Sequence, residues 1–527
     1  MSGACPPVRL TLLATTDLHG RLLPVDYGAG GPRRGSLAQL ATLIRAARAE
    51  NPALLLLDGG DTLQGTPLTG CHQRGAGGAP EPMMRAMNAL GYDAMAVGNH
   101  DYDFGRAALE RARHEAAFPW LSANTCQAGT DESAFVPCLL KTVAGVRIGI
   151  VGLTTPAVPV WIPPEERAGL EFHDSVAAAR HWVRRLREQE HADLVVVLAH
   201  LGCEADAASG HARAGQAPGE NAALAIAREV EGIDVLLAGH THETLPPRWI
   251  GDTLLLQAGK FGECLARIDV EFVRPDGNGW RKERLAGRLE PATEQTEADP
   301  EIIRLAAPYE QAAQAWLDRA IGTCVSELSA TDAHRGDSAL LKLVHCAQLE
   351  AGNAEVSLTA SFNPAAHIPR GAATVRDIAR LYPYDNTLVV VELTGRQLKE
   401  ALEYAAGLLD RRGMDFPVHE FDTAAGVNYE IDPSRARGDR VVRLCRGRRR
   451  VKPDDRLRTA ITSYRWGGGG GYTMFAEAPV LARSAATIRE LIIDWVGRHG
   501  VIPDRPDDNW RLQPRRVSAP AEAGAGR

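Results

Sequence analysis

At 527 residues the chain exceeds what one hydrophobic core accommodates, and 45% apolar with 24% charged residues is the balance of a soluble globular protein, so two or three domains are expected. A formal charge of −7 gives no basic footprint, which excludes nucleic-acid polymers and anionic membrane surfaces as main partners and leaves small anions open where positive charge is local. The nine cysteines are scattered with no C-x-x-C pair, which argues against a disulfide framework or a thiolate zinc site.

The N-terminal run M-S-G-A-C-P-P-V-R-L-T-L-L-A-T-T-D lacks the separate charged and apolar regions of a signal peptide, because it feeds straight into Asp17. No later segment has the uninterrupted apolar length of a membrane span, and a cytoplasmic location is the expectation. From residue 8 to about 258, aliphatic runs recur at Val8–Thr15, Leu54–Leu57, Ala94–Val97, Val146–Leu153, Leu194–Ala199, Val235–Ala238 and Leu254–Gln257. Amphipathic stretches such as Leu37–Ala49 and Val176–Gln189 lie between them, and the alternation predicts an α/β domain on buried strands over residues 1–295. In such sheets ligands gather at the carboxyl ends of strands. Residues 296–321 read as a connecting helix, with Pro300 in its first turn and Pro308 marking a kink. From 322 to 515 the pattern is mixed α+β, with helix-like Ser338–Ala351 and Gly395–Leu409 and strand-like Leu388–Leu393, Val427–Ile431 and Leu457–Thr462. Residues 516–527 have the composition of a disordered tail.

Five aliphatic runs end in polar residues: Asp17-Leu-His19, Asp61, Asn99-His100, His200 and His240-Thr-His242. A lone histidine after a strand is more often a satisfied core residue than a ligand, but five such endings shift the balance. Asp, Asn and His without thiolates suit Zn²⁺, Mn²⁺, Fe²⁺ or Co²⁺, and seven ligands suffice for two ions if one carboxylate bridges. Two such ions roughly 3.5–4 Å apart can clamp a phosphoryl group during in-line displacement.

The motifs D-L-H-G, G-D-T-L-Q-G, G-N-H-D-Y-D, A-H-L-G and G-H-T-H, in this order, resemble the dinuclear metallophosphatases, and specifically the 5'-nucleotidase family. The resemblance extends through Arg376–Leu388, Gly426–Asp432 and Ser463–Tyr472, and is strongest to the branch acting on 2',3'-cyclic nucleotides and 3'-nucleotides. It implies a four-layer α/β/β/α metal domain joined by a helix, with a hinge near Asp299–Ala320, to a smaller α+β substrate domain. It implies that Asp17, His19 and His242 hold one divalent metal, that Asn99, His200 and His240 hold the other, and that Asp61 bridges them. His242 stands where some relatives carry an amide. The pair His100 and Asp103 would stabilise the transition state or protonate the leaving oxygen. Asp101 carries no role in the match and is read as orienting the loop. Tyr384 and Tyr464 match two aromatic residues that sandwich the base, a contact of about 1–3 kcal/mol per base with little base preference. Asn363 is a candidate contact to ribose or base, within A-S-F-N-P-A-A-H-I-P-R-G, where many 5'-nucleotidases carry a glycine-rich segment. That departure weighs against a dedicated 5'-nucleotidase.

The expected reaction is hydrolysis of 2',3'-cyclic nucleotides to 3'-nucleotides, then to nucleosides and phosphate, with small-molecule nucleotides as the partners. A 5'-nucleotidase or UDP-sugar hydrolase on the same scaffold is the alternative within the class. A nucleotide-binding protein without catalysis is the alternative outside it, against which all seven ligands and the His100–Asp103 pair stand. Export to the periplasm usually accompanies the resemblance and would require a leader upstream of this sequence. Gly467–Gly471 lacks the Lys-Ser/Thr of a phosphate loop and reads as a close-approach segment, and Arg446–Lys452 reads as a solvated turn.

Overall fold

The computed structural model describes residues 5–28, 30–75, 79–162, 164–206, 210–211, 216–274, 279–384, 386–410, 418–475 and 478–513. The tail expected at 516–527 lies outside them. The chain forms two compact units, Met1–Trp316 and Leu317–Arg527.

The first unit holds two six-stranded sheets. In one the order is Arg281–Pro291, Cys264–Arg274, Cys5–Thr15, Leu54–Asp58, Ala94–Ala96, Trp120–Leu121. In the other it is Thr244–Ile250, Thr253–Ala258, Val235–Ala238, Leu194–His200, Val146–Thr154, Cys138–Val143. The inner strands of each sheet run parallel. Such strands are buried on both faces, and Leu54–Asp58 and Leu194–His200 are buried at every position. Leu10, Leu12, Leu55 and Leu57 of one sheet share a core with Ile148, Ile150, Val196 and Leu198 of the other. The outer face of the second sheet, through Val151, Val195 and Leu236, packs on Val183 and Leu186 of the helix Ser175–Glu188 and Ile226 of Ala223–Glu229. Helix Leu37–Glu50 buries Leu40, Ala41 and Ile44 on the first sheet's side, which completes the α/β/β/α stack.

The long hairpin Cys264–Arg274/Arg281–Pro291 was not legible as strand. Its second arm, R-K-E-R-L-A-G-R-L-E-P, is an edge that opens on four consecutive charged residues and carries two more at Arg288 and Glu290, so little apolar signal remains. The connecting helix is also shorter than expected, Pro300–Leu317, with Pro308 inside it. Residues Ala320–Cys324, A-I-G-T-C, form a strand paired with Gly371–Thr374, because Gly322 disfavours another helical turn and the β-branched Ile321 and Thr323 suit a ladder. The helix is tied to the first unit by Arg45 Nε donating to Asp299 Oδ2 at 2.6 Å and Tyr27 Oη donating to Glu310 Oε2 at 2.6 Å.

The second unit has a five-stranded sheet ordered Thr423–Ala425, Val356–Thr359, Arg456–Thr462, Thr387–Thr394, Val480–Thr487, and a four-stranded sheet ordered Arg449–Arg450, Val441–Arg446, Asn428–Ile431, Trp510–Leu512. Helix Gly395–Leu408 buries Leu398, Leu402 and Ala405 in a core shared with Val389, Val391, Tyr429 and Trp510. Its start is fixed by a capping box between Thr394 and Gln397, and those of Val375–Leu381 and Ile488–His499 by Thr374/Asp377 and Thr487/Glu490.

Candidate metal centre

The parallel ladders pair Thr15 with Asp58 and Asp58 with Met95 in one sheet, and Thr154 with His200 and Ala199 with Ala238 in the other. Asp17, His19, Asp61 and Asn99 follow strand ends of the first sheet. His200 ends a strand of the second, and His240 and His242 follow another. Asp17, His19 and His242 form one group and Asp61, His200 and His240 a second, with the ligand atoms in each group within 4.8 Å of one another. Asn99 joins the second group, its Oδ1 3.2 Å from His200 Nε2. Asp61 Oδ2 faces both groups, 3.0 Å from His200 Nε2 and 3.8 Å from His19 Nε2.

Tautomers follow from the partners of each ring. His19 Nδ1 lies 3.1 Å from the Gln64 carbonyl and His200 Nδ1 2.8 Å from the Gly59 carbonyl. A carbonyl only accepts, so each Nδ1 donates and each Nε2 turns to the centre. His240 is reversed: its Nε2 meets Glu220 Oε1 at 3.3 Å, which leaves Nδ1 for the centre. His19 and His242 present Nε2 atoms to each other at 2.8 Å. Asp61 Oδ2 is buried, and no donor reaches it with hydrogen-bond geometry. A donor-less buried carboxylate oxygen among imidazole nitrogens whose other ring atoms are already engaged fits a divalent cation.

Five of the seven candidate ligands sit in the left-handed backbone region: Asp17 (φ 51°), His19 (48°), Asp61 (57°), His240 (70°) and His242 (59°). Each costs on the order of 1–2 kcal/mol for a non-glycine residue. The turns are held by neighbours, as Asp17 N–H donates to Gly60 O at 2.9 Å and His19 N–H to Asp61 O at 2.8 Å. Gly98 of G-N-H-D is required where it stands, because a Cβ there would collide with Asp61 Oδ1 and N.

Electrostatics separate the groups. Burial works against ionisation of Asp61, but His200 and His100 outweigh it and hold the carboxyl well below the ordinary range. Burial pulls His19 down to about 4, and burial with His19 pulls His242 down to about 2, which keeps both imidazoles neutral.

His100 donates its backbone N–H to Asp61 Oδ1 at 2.7 Å and places Nδ1 2.8 Å from Asp103 Oδ2. Its side chain is 39% exposed, with Nδ1 committed to Asp103. Burial lowers its pKa, but the carboxylates of Asp103 and Asp61 outweigh burial and raise it to about 10. Asp101 is fully buried and accepts four backbone N–H groups, from Gly98 (2.9 Å), Asp61 (3.1 Å), Thr62 (2.9 Å) and Leu63 (3.1 Å). It fastens the Asp61 loop to the Asn99 loop and therefore orients ligands without being one.

In the second unit, Tyr384 and Tyr464 are 49% and 48% exposed. Antiparallel pairing of Leu388 with Thr462 brings them to the same end of the five-stranded sheet. Tyr384 meets Phe362 edge-on at 5.5 Å, and a side chain on Gly469 would strike the Tyr464 ring, so the glycine run lets the chain pass close to it. Arg465 is fully buried, its Cζ 5.5 Å from the centroid of the Tyr464 ring, and is bonded to Asp422 at 2.8 Å and to the Gly469 carbonyl at 3.1 Å. Asn363 is otherwise engaged: Nδ2 donates to Arg380 O of the helix Val375–Leu381 at 2.9 Å and Oδ1 accepts from Ala365 N–H at 3.0 Å, which ties up both ends of its amide. Arg449, Arg450 and Lys452, expected on a solvated turn, line a cavity of 1380 Å³ against helix Gly395–Leu408, and neither tyrosine borders it.

Residues 10–244 match the calcineurin-like phosphoesterase model and residues 317–477 the C-terminal domain of 5'-nucleotidase. The chain belongs to the 5'-nucleotidase family of metallophosphatases. That membership implies divalent metal ions. Among its relatives, the 2',3'-cyclic-nucleotide 2'-phosphodiesterase/3'-nucleotidase of Haemophilus influenzae is 28% identical over 96% of this chain and 88% of that protein. The trifunctional nucleotide phosphoesterase protein YfkN of Bacillus subtilis is 26% identical over 97% of this chain, which spans 39% of its length. The crystal structure of a 5'-nucleotidase precursor from Thermus thermophilus is 26% identical with a TM-score of 0.63, covering 96% of this chain and all of that one. No helix among the described residues of this family member is long and apolar enough to cross a membrane.

The sequence pattern missed Glu220, Gln64 and the Asp422–Arg465 pair. Gln64 and Arg465 stand within quoted motifs, but the partner of each lies across a gap of 20 to 45 positions that only the fold closes, as does that of Glu220. Glycines 59, 60 and 98 were the one available signal that backbone crosses close to the centre.

Proposed function

We propose that this 5'-nucleotidase-family chain hydrolyses 2',3'-cyclic nucleotides to 3'-nucleotides and then 3'-nucleotides to nucleosides and phosphate. The observation that carries the reading is Asp61 facing two ligand groups while holding His100, whose own partner is Asp103. In this reading Asp17, His19 and His242 hold one cation, Asn99, His200 and His240 the other, and Asp61 lies between them. Two divalent cations held there would supply Lewis acidity and lower the pKa of water to about 7. His100, anchored through Nδ1 to Asp103, presents Nε2–H to the leaving oxygen and gives up that proton as the ester bond breaks. A positioned general acid of this kind contributes about 10²–10⁴-fold. Tyr384 and Tyr464 take the base between their exposed rings. The Haemophilus influenzae and Bacillus subtilis relatives, named for cyclic-nucleotide, nucleotidase and nucleotide phosphoesterase activities, support nucleotides as the substrates.

Parallel assays on 2',3'-cyclic AMP, 3'-AMP, 5'-AMP and UDP-glucose test the reading, with highest kcat/KM expected on the first two. A strong preference for 5'-AMP overturns it in favour of a 5'-nucleotidase. In the same assays His100→Ala is expected to lower kcat by about 10²–10⁴-fold with metal content unchanged, and a wild-type rate rules out its acid role.

A further inference from the structure

Phe261 lies at the edge of the metal centre, its ring 5.7 Å from His19 and 6.1 Å from His242. Its backbone is left-handed (φ 58°) and its N–H donates to Asp17 O at 2.7 Å, so the ring's place is set by the same loop that carries two candidate ligands. Three cations surround this one ring: Lys260 Nζ at 5.0 Å, Arg21 Cζ at 5.1 Å and Arg33 Cζ at 5.5 Å from its centroid. Like charges so gathered repel, and the ring's negative faces offset only part of that repulsion.

Their counter-charges are incomplete. Arg33 has Asp26 at 4.0 Å, the limit of an ion pair. Arg21 is 6% exposed, donates Nη1 to Val25 O at 2.8 Å, and keeps a buried Nε without a partner. Lys260 is half-buried and forms no ion pair among the described residues, since its ammonium is directed over Phe261 on the side of His242. Asp26 and Glu263 are the carboxylates that face Arg21. A surplus of positive charge is therefore held in place next to a centre that itself attracts anions, with Arg21 as the buried support and Lys260 and Arg33 as the accessible groups.

We infer that Lys260 and Arg33, arranged about Phe261, form a subsite for a second phosphoryl group of the substrate, one that is bound and not cleaved. The inference rests on the reading of the neighbouring centre as the place where the scissile phosphoryl group is held. A phosphoryl dianion engages an ammonium and a guanidinium together through charge-assisted hydrogen bonds, and a nucleotide with one phosphate leaves Lys260 without an anion and Arg33 with only its long contact to Asp26. Substrates carrying a second phosphate, whether on another hydroxyl or in a diphosphate, are accordingly preferred over their monophosphates.

The test is the ratio of kcat/KM for adenosine 3',5'-bisphosphate over 3'-AMP, and for ADP over 5'-AMP, in the metal-loaded full chain. The wild type is expected to favour the doubly phosphorylated member of at least one pair by about tenfold. Lys260→Gln and Arg33→Gln should each reduce that ratio, and the double variant should bring it near one. Arg34→Gln, which removes an equal charge from an exposed neighbour outside the ring of cations, should leave it intact. Hydrolysis of the monophosphates with ratios near one in the wild type, or ratios untouched in the double variant, overturns the subsite alone. No hydrolysis of any nucleotide overturns the reading beneath it as well.

Discussion

His240 turns Nδ1 to the centre because Glu220 claims its Nε2, and Glu220 is itself fixed by accepting Ala217 N–H at 2.8 Å and, through its carbonyl, the Thr155 hydroxyl at 2.8 Å. Carboxylates of this kind set ring orientation and ligand basicity, and their loss commonly costs 10–100-fold in metal affinity. Glu220→Ala is accordingly expected to weaken one of two divalent-ion binding events by about that factor in calorimetric titration and to spare the other. Equal weakening of both, or of neither, would detach Glu220 from His240's role. The candidate ligands stood out in the sequence because each sits where an apolar run stops, and two chemically different demands collide there: burial for the strand, polarity for the site. Glu220 was not legible, because P-G-E-N in a loop reads as a turn. Its meaning comes from a ring twenty positions away.

Elements were read best where both faces are buried. Val235–Ala238 and Leu254–Gln257 stand within a residue of their observed bounds, whereas the half-charged arm Arg281–Pro291 was invisible. The pairing of helix Ala339–Gly352 with strand Val356–Thr359 shows a further feature that pattern cannot reveal. His345 is buried between Ser357 Oγ (2.9 Å) and Thr423 Oγ1 (3.1 Å), and Ser357 in turn donates to Gln348 Oε1 at 2.5 Å. Burial holds the imidazole down at about 4, so between that pH and its ordinary 6.5 the folded chain binds fewer protons than the unfolded chain. The stability contributed by neutral His345 is complete above pH 6.5 and is lost as pH falls from there toward 4. The helix–strand contact should lose about 2 kcal/mol on going from pH 7.5 to 5, seen as a lower urea midpoint. His345→Gln should remove that part of the decline, and an unaltered pH dependence in the variant would place the titration elsewhere.

At the scale of the whole molecule, the first unit collects its seven candidate ligands from strand ends that span residues 17 to 242, so no short segment contains a candidate centre. Motif order places the polar strand ends in the first half of the chain and the two exposed tyrosines, Tyr384 and Tyr464, in the second. The backbone state of the candidate ligands was not legible, because nothing in D-L-H-G or G-H-T-H distinguishes a left-handed aspartate or histidine from an extended one. Those five left-handed residues carry a consequence for local opening. Without cations to draw the rings together, the loops hold strain that opening releases, so the centre belongs to the low-stability end of a fold whose strands are its most protected part. Chelation should therefore raise amide hydrogen exchange first at Leu18–Gly20, Thr62–Leu63 and Thr241–His242, while Leu194–Ala199 remains protected. Uniform exchange across loops and strands would mean that the turns are held by the scaffold alone. The expected outcome makes the metal ions part of the local fold as well as of the chemistry, so a chain starved of them loses the shape of its ligand loops before it loses its sheets.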